Sequence, residues 1–316
     1  MSAPVLSISG LTKAFRGRRV VDDVGMTVGQ GQIVGFLGPN GAGKTSVMTM
    51  IMGLMAPDAG RIELFGTAKP SPAARLRIGY LQEKPSLYGE MTARSYLALF
   101  AQLHGVPNPG RQVEEVLDRV GLAQAADRPM GSYSRGMQQR ASLARVMLHA
   151  PEFLILDEPT LGLDPRGVAD MRDIFREMRD AGTTLLFSSH QLAEIERVCD
   201  AIIFMSQGRV IAAGSPSDLL PAEAMSDGLI VETAEAADEI RAGLATVAGI
   251  ADVTATGPRQ ATIRLSRPAD NLQDRRAEIA RILIAAGLTP LSVTARQHTL
   301  EDLFLTLAGP RPANGD

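Results

Sequence analysis

The chain has 316 residues, of which 45% are hydrophobic and 21% are charged, and these proportions exclude disordered, collagen-like and disulfide-scaffold proteins. The formal charge of −3, from 32 basic and 35 acidic side chains, offers no basic field, so no nucleic-acid partner is expected. The first residues lack a secretory signal pattern, and no run of about 20 apolar residues predicts a membrane-spanning helix. We therefore do not expect the chain to cross a bilayer by itself.

Residues 1–222 alternate short apolar runs with amphipathic helical patterns, which predicts an α/β domain built on a mostly parallel sheet. Shorter alternating runs at 2–28 predict a small antiparallel β flap. The apolar runs that predict buried strands are 33–37, 153–156, 184–188 and 201–205. The helical patterns cover 45–55, 92–103, 112–120, 134–149, 167–181 and 191–198.

A turn at 214–217 and a shift in charge balance predict a domain boundary near 220–227. Residues 227–309 are predicted as an accessory domain of βαββαβ order, which is the ferredoxin-like arrangement. Residues 310–316 are predicted as a flexible tail. The predicted strands of the accessory domain are 228–232, 250–256, 261–265 and 289–295, its helices are 236–245 and 271–286, and a last helix covers 300–307.

A glycine-rich loop between the run at 33–37 and the following helix matches the phosphate-binding pattern GxxxxGK[ST] in full. Its glycines let backbone N–H groups point at phosphate oxygens, and the helix N-terminus adds partial positive charge. Lys44 supplies a full charge to the β- and γ-phosphates, and Thr45 offers a hydroxyl to Mg²⁺. The predicted ligand is a nucleoside triphosphate. The predicted binding residues are Gly38, Pro39, Asn40, Gly41, Ala42, Gly43, Lys44, Thr45 and Ser46.

The apolar run at 153–156 ends in two acidic residues, Asp157 and Glu158. A buried strand that delivers carboxylates at its C-terminal end suits a site in the crevice of a sheet. Asp157 can hold Mg²⁺ directly or through water, and Glu158 is the candidate general base for an attacking water. The alternative is an ordinary polar strand end before Pro159. A base beside the metal ligand favours hydrolysis over phosphoryl transfer to a metabolite.

A second candidate anion site lies in Tyr-Ser-Arg-Gly-Met-Gln-Gln-Arg at 133–140, where Ser134 is a predicted helix N-cap. With this segment, the sequence resembles the nucleotide-binding subunit of an ABC transporter over about residues 5–215. Six motifs carry the resemblance, in the order of the family. Besides the phosphate loop and the segment at 133–140, they are Gln82 in Tyr-Leu-Gln-Glu, Leu-Asp-Glu-Pro at 156–159, Leu-Gly-Leu-Asp-Pro at 161–165 and Ser-Ser-His at 188–190.

The resemblance implies an ABC ATPase domain with a mixed sheet core, an antiparallel β flap and a helical subdomain. It implies that two such subunits, as a homodimer, meet head to tail around two ATP molecules with Mg²⁺, and that each ATP lies between the phosphate loop of one chain and the signature helix of the other. The signature residues that would contact the partner's nucleotide are Ser134, Arg135, Gly136, Met137 and Gln138.

The same resemblance implies further roles near the nucleotide. Phe15 would stack on adenine, and Asp164 would join the two sites across the dimer. Besides Glu158, the implied catalytic residues are His190, which would hold the γ-phosphate and position the water, and Gln82, which would sense Mg²⁺ and the water.

The form of the signature and the motif Thr-Leu-Glu-Asp-Leu-Phe at 299–304 resemble the ABC-2 exporter branch, which exports drugs, polysaccharides or ions. This implies an integral membrane permease as partner and a cytoplasmic location on the inner face of the cell membrane. The family's commonest signature is Leu-Ser-Gly-Gly-Gln, from which Tyr133, Arg135 and Met137 depart, and Phe15 replaces a more usual tyrosine.

Two other functions compete with transport. An ABC ATPase acting on DNA or ribosomes is the main alternative, but such proteins resemble tandem ATPases or carry coiled-coil or zinc insertions. This chain has one ATPase unit, one cysteine and no heptad arm. A regulatory nucleotide binder without turnover is disfavoured because both Glu158 and His190 are present.

Overall fold

The computed structural model describes residues 3–68, 71–84, 87–189, 195–219, 228–244, 247, 250–265, 272–296, 300 and 302–304. The chain folds into two compact units, of which the first contains Met1–Leu219 and the second is Leu220–Thr306. Within the described part of the chain, no helix is long and apolar enough to span a membrane.

Within the residues that the structure describes, the first unit contains two β-sheets and a group of helices. Its described strands are β1 (Leu6–Phe15), β2 (Arg18–Val28), β3 (Ile33–Leu37), β4 (Ala59–Leu64), β5 (Ile78–Leu81), β6 (Phe153–Leu156), β7 (Thr184–Ser189), β8 (Ala201–Ser206) and β9 (Arg209–Gly214). Its described helices are α1 (Lys44–Ile51), α2 (Pro72–Arg75), α3 (Ala93–Leu103), α4 (Pro109–Arg119), α5 (Arg135–Met147), α6 (Pro165–Asp180) and α7 (Pro216–Leu219).

The larger sheet has the strand order β5-β6-β7-β3-β8-β9 and is parallel except for the antiparallel pair β8–β9. Every residue of β3, β6 and β7 is buried. Strands covered on both faces consist of continuous apolar runs, which is why the sequence predicts them well. The predicted mostly parallel sheet is therefore confirmed, and it brings the carboxyl ends of β6, β7 and β3 side by side.

The smaller sheet is the antiparallel flap, with strand order β2-β1-β4. Leu6 pairs with Val28 on one side and with Leu64 on the other, and all three side chains are fully buried. These residues join α1 and the larger sheet in one hydrophobic cluster, which includes Met48 and Met50. The predicted flap is confirmed, and its third strand comes from a segment that the sequence patterns did not single out.

Helices α3, α4 and α5 pack against one another and form the helical part of the first unit. Thr92 caps α3 by accepting a hydrogen bond from the Ser95 N–H at 3.2 Å. Inside this group, the ring of Tyr96 is almost fully buried, and its centroid lies 4.8 Å from that of Phe100.

The second unit contains β10 (Gly228–Thr233), α8 (Ala237–Leu244), β11 (Ile250–Gly257), β12 (Gln260–Leu265), α9 (Leu272–Ala285) and β13 (Pro290–Ala295). Its sheet has the order β11-β12-β10-β13, and each of these pairs is antiparallel. Leu229 and Val231 of β10 pack with Ile240 of α8 and Leu283 of α9 in a separate core. The predicted βαββαβ order, with its ferredoxin-like arrangement, is confirmed.

Some predicted bounds differ from the structure. The helix predicted at 45–55 ends at Ile51, because Gly53 adopts a left-handed conformation with φ +68°. The helix predicted at 112–120 begins earlier, at Pro109, because proline is favoured in the first turn of a helix. Half of the last predicted helix (301 and 305–307), the tail 310–316 and residues 191–194 of the helix predicted at 191–198 lie outside the described residues.

Candidate active site

The loop between β3 and α1 forms one wall of a cavity of about 400 Å³. Gly43 adopts φ +107°, and a Cβ atom there would lie 2.6 Å from the Val20 carbonyl oxygen. A Cβ atom on Gly38 would collide with the Met205 carbonyl oxygen. These positions require glycine because the loop backbone passes so close to neighbouring strands. The cavity is lined by Val20, residues 40–46, Glu83, Asp157, Glu158 and Leu161.

Lys44 is the first residue of α1 and is 6% exposed at the cavity. Its Nζ donates to the Gly38 carbonyl oxygen at 2.6 Å and lies 4.0 Å from Glu158 Oε1. Burial lowers the pKa of Lys44, whereas the charges of Glu158, Asp157 and Glu83 raise it. The cation is therefore held against the loop backbone by surrounding carboxylates, beside the helix N-terminus.

Asp157 and Glu158 follow β6 directly and are 2% and 7% exposed. Asp157 Oδ2 accepts a hydrogen bond from Thr45 Oγ1 at 2.7 Å, and this bond connects the carboxyl end of β6 to the start of α1. Tyr80 lies on the neighbouring strand, and burial, followed by the charge of Asp157, raises the pKa of its phenol to about 12. The predicted carboxylate pair is thus brought to the phosphate loop.

Ser188 is a site residue whose role its sequence motif did not reveal. Its hydroxyl donates to Asp157 Oδ1 at 2.6 Å and accepts a hydrogen bond from the Glu158 N–H at 2.8 Å. The sequence placed Ser188 only at the end of the strand predicted at 184–188, and the structure adds that this strand lies next to β6 in the sheet. The register that pairs Leu156 with Phe187 places Ser188 beside Asp157.

The oxygen atoms of Thr45 and Asp157 fit a magnesium ion only together with a nucleotide. Among the residues that the structure describes, no group of three or more His, Cys, Asp or Glu side chains could hold a metal ion. Mg²⁺ is usually held in such sites by one or two protein oxygens, substrate phosphates and water. Thr45 Oγ1 and Asp157 Oδ2, which are 2.7 Å apart, match that donor set.

Other predicted residues lie away from the cavity or cannot be placed. Glu83 lines the cavity, whereas its exposed neighbour Gln82 does not. The Phe15 ring is 43% exposed at the end of β1 and does not line the cavity, and Lys13 Nζ lies 5.8 Å from its centroid. His190 lies outside the described residues.

The signature residues form the start of α5, and none of them lines this cavity. The exposed Ser134 caps α5 by accepting a hydrogen bond from the Met137 N–H at 3.3 Å. Tyr133, one of the departures from the commonest signature, is buried and donates its hydroxyl to the Ala125 carbonyl oxygen at 2.7 Å. The tyrosine side chain, which replaces the leucine of the commonest signature, therefore anchors the residue that precedes the N-cap Ser134.

The start of α5 packs against the segment that follows the carboxylates in the same chain. A Cβ atom on Gly162, which has φ +78°, would lie 2.5 Å from Arg135 Nε, and one on Gly136 would lie 3.4 Å from Leu163 Cδ2. Asp164 ends this segment and caps α6 by accepting a hydrogen bond from the Gly167 N–H at 2.7 Å. The signature and the segment at 161–164 thus form one packed corner.

A phosphate loop between a parallel strand and a helix, with a strand-end Asp bonded to the loop threonine, defines a P-loop nucleoside triphosphatase. The family model described as ABC transporter matches residues 21–161. The chain is 36% identical over 315 residues to the "Daunorubicin resistance ATP-binding protein DrrA3" of Streptomyces coeruleorubidus, covering 98% of this chain and 97% of that protein.

Two further similarities agree with this match. The chain is 34% identical over 313 residues to the "Nod factor export ATP-binding protein I" of Ralstonia nicotianae, covering 98% of this chain and 95% of that protein. The solved structure of cbiO1 from Clostridium perfringens, part of the ABC transporter complex cbiONQ, has a TM-score of 0.64 and 28% identity. That similarity covers 69% of this chain and 91% of the other.

The chain therefore belongs to the ABC transporter ATP-binding proteins. It is the ATP-binding subunit of an ABC transporter, and it has the ATPase activity of that family. Subunits of this family work with membrane permeases. The alternative of an ABC ATPase acting on DNA or ribosomes is not favoured by these similarities.

Proposed function

We propose that the chain energises export through a separate integral membrane permease, as a homodimer that closes on two ATP molecules and opens after their hydrolysis. Two relatives that align over nearly the whole chain are named for daunorubicin resistance and for Nod factor export, which supports the direction of transport. Pairing with a permease would place the chain at the cytoplasmic face of the cell membrane. We assign residues 1–222 to the ATPase domain, 227–309 to the accessory domain and 310–316 to a tail.

The observation that carries the proposal is the separation of two anion sites within one chain. The cavity is lined by the phosphate loop and two carboxylates but by no residue of the signature. Ser134 and Arg135 are nevertheless exposed at the N-terminus of α5, where N–H groups and the helix dipole favour an anion. A second copy in head-to-tail orientation would supply its signature to the nucleotide in this cavity, and ATP would then bridge the two chains.

In the proposed closed dimer, Lys44 and the loop N–H groups would bind the phosphates, while Thr45, Asp157 and Gln82 would hold Mg²⁺, which would neutralise phosphate charge. Glu158 accepts a proton from the water that attacks the γ-phosphate, the bond from the γ-phosphorus to the bridging oxygen breaks, and ADP is the leaving group. The proposed roles of the remaining residues are adenine stacking by Phe15, γ-phosphate contact by His190, signature contact in trans by Ser134, Arg135, Gly136, Met137 and Gln138, and coupling between the sites by Asp164.

Light scattering with ATP and Mg²⁺ tests the bridging model. Glu158→Gln removes only the base, so we expect this variant to bind ATP and to form a dimer that ADP does not support. Adding Gly136→Asp to this variant should prevent the dimer but leave ATP binding to the monomer within about threefold, because Gly136 does not line the cavity. A Cβ atom fits at Gly136, so the expected loss comes from placing a negative charge against the partner's phosphate.

Gly110→Asp provides the matched control in the same background. Gly110 is the second residue of α4, as Gly136 is of α5, and a Cβ atom there has no neighbour within 4 Å. This variant should dimerise like Glu158→Gln alone. A monomer for Glu158→Gln with saturating ATP, or an unchanged dimer with Gly136→Asp, would refute the head-to-tail arrangement.

The transport part of the proposal is tested by the location and stimulation of the ATPase. In cell fractions, the chain should accompany membranes only when its permease is co-expressed, and the permease should change the ATPase rate. Double-stranded DNA or purified ribosomes should change that rate less than about twofold. A larger stimulation by either nucleic-acid partner, without membrane association, would support the alternative function.

A further inference from the structure

Ser188 joins the two carboxylate residues of the site through a single hydroxyl. It is fully buried near the end of β7, where its Oγ donates to Asp157 Oδ1 at 2.6 Å. The same Oγ accepts a hydrogen bond from the Glu158 N–H at 2.8 Å. A serine hydroxyl has one proton and two lone pairs, so these bonds use its donor and one acceptor site. Ser188 therefore fixes the two neighbouring residues relative to one another.

The backbone of Glu158 depends on such a contact. Glu158 has φ +50°, in the left-handed region that non-glycine residues enter only at a cost in free energy. Its N–H is directed at Ser188, and a buried N–H without an acceptor would add a further cost. Ser188 thus stabilises the turn that directs the Glu158 side chain to the cavity, where Glu158 Oε1 lies 4.0 Å from Lys44 Nζ.

The two carboxylate oxygens of Asp157 accept hydrogen bonds from two different hydroxyl groups. Its Oδ1 receives the Ser188 hydrogen bond, and its Oδ2 receives that of Thr45 at 2.7 Å. Because Ser188 occupies one oxygen, the carboxylate plane is fixed with the other oxygen facing Thr45. Without Ser188, the Asp157 carboxylate could rotate and exchange its two oxygens. Thr45 Oγ1 and Asp157 Oδ2 would then no longer be preorganised as ligands for a metal ion.

We propose that Ser188 is a positioning residue for ATP hydrolysis, which holds Asp157 and Glu158 in their working orientations without touching ATP. The inference rests on the proposed role of Glu158 as the base. It differs from a purely structural role because it predicts a loss in turnover larger than any loss in nucleotide binding. In the sequence, Ser188 lies two residues before His190, another predicted catalytic residue.

Ser188→Ala in the purified full-length chain tests the proposal by steady-state kinetics and calorimetric ATP binding. We expect kcat to fall about 10- to 100-fold, the size expected for losing a hydrogen bond to a charged group. The affinity for ATP without Mg²⁺ should stay within about threefold, whereas the Mg²⁺ concentration that half-saturates tight ATP binding should rise several-fold. Ser188→Thr, which keeps the hydroxyl, should recover much of both losses.

Thr184→Val is the matched control on the same strand. Thr184 is also fully buried in β7, and its Oγ1 accepts a hydrogen bond from the Gly31 N–H at 2.9 Å, far from the carboxylates. Loss of this hydrogen bond in Thr184→Val should lower the melting temperature about as much as Ser188→Ala does, but kcat should stay within about twofold of that of the original chain. If Ser188→Ala does not fold, Ser188→Cys keeps the side-chain size with weaker hydrogen bonds, and the same loss of kcat is expected.

Kinetics of the Glu158→Gln variant separate this proposal from the proposed function. If Glu158→Gln retains turnover, the assignment of the base is wrong. If Glu158→Gln is inactive but Ser188→Ala and Ser188→Cys turn over within about twofold of the original chain, the positioning role is overturned. An equal fall in kcat for Thr184→Val would also overturn it, because the loss would then reflect strand stability.

Discussion

Replacing Lys44 with alanine removes the buried cation of the phosphate loop. Lys44 Nζ is 2.6 Å from the Gly38 carbonyl oxygen and 4.0 Å from Glu158 Oε1, so it is already positioned before a nucleotide arrives. Two unit charges 4 Å apart interact by about 4 kcal/mol at an effective dielectric constant of 20. Since burying the cation also has a cost, we expect Lys44→Ala to lose about 2 to 4 kcal/mol of ATP binding, or about 30- to 1,000-fold in Kd.

Calorimetric titration with ATP and with adenosine separates this loss from a general disturbance of the site. The loss should appear with ATP and be absent with adenosine, because the removed charge faces the phosphates. Lys44→Arg should not restore binding fully, since the lysine side chain is only 6% exposed and leaves little room for a guanidinium. An ATP affinity for Lys44→Ala within about threefold of the original chain would refute the phosphate-loop assignment.

Three further outcomes are expected. Tyr133→Phe should lower the free energy of unfolding by about 0.5 to 1.5 kcal/mol, because it removes one of the two hydrogen bonds to the buried Ala125 carbonyl oxygen, which keeps the bond from the Arg128 N–H at 3.0 Å; thermal melts should show this with ATP affinity unchanged. Burial lowers the pKa of both stacked histidines, His104 and His149, in the folded chain. As the pH drops below about 6.5, the unfolded chain therefore binds protons at these histidines before the folded chain does, and the free energy of unfolding should fall. His149→Gln should make this pH dependence weaker in denaturant titrations. Gly43→Ala should abolish ATP binding, because its Cβ would press on the Val20 carbonyl oxygen, and a calorimetric titration would detect any binding that remains.

The buried parallel strands could be predicted from the sequence because they have a simple pattern. β3 and β6 are uninterrupted apolar runs, and the structure gives both the predicted bounds. β5 also has four residues, but Gly79 and Tyr80 leave it only two aliphatic side chains, so its pattern is weak. A Cβ atom on Gly79 would lie 2.5 Å from Leu154 Cδ2, a constraint set by tertiary packing. The fold class was thus accessible from the sequence, whereas β5, whose pattern is interrupted, was not.

In the candidate site too, the sequence predicts which types of residue are needed but not how they are arranged in space. The motif at 38–45 and the acidic pair after β6 indicate which side chains a nucleotide site needs, and the structure brings Thr45 to Asp157. The link through Ser188 could not be predicted, because it depends on a register between strands about 30 residues apart in the chain. Serine at a strand end is also common, so its residue type carried no signal.

Sheet order explains why residues so distant in sequence converge on one cavity. β7 lies between β6 and β3, with Leu156 paired to Phe187 and Leu37 paired to Ser189. The carboxylates, the bridging hydroxyl of Ser188 and the phosphate loop therefore emerge from three adjacent strands at one edge.

No signature residue lines the cavity at that edge; the signature begins α5 and packs against the segment 161–164, where Arg135 lies against Gly162. Both candidate anion sites therefore lie on packed elements, the first between β3 and α1 and the second at the N-terminus of α5. In the proposed dimer, closure then requires only the docking of two preformed halves, and the free energy of the bridging ATP can be used to bring them together. In the proposed cycle, hydrolysis would remove the γ-phosphate and with it the bridge, and the permease would receive the motion that follows.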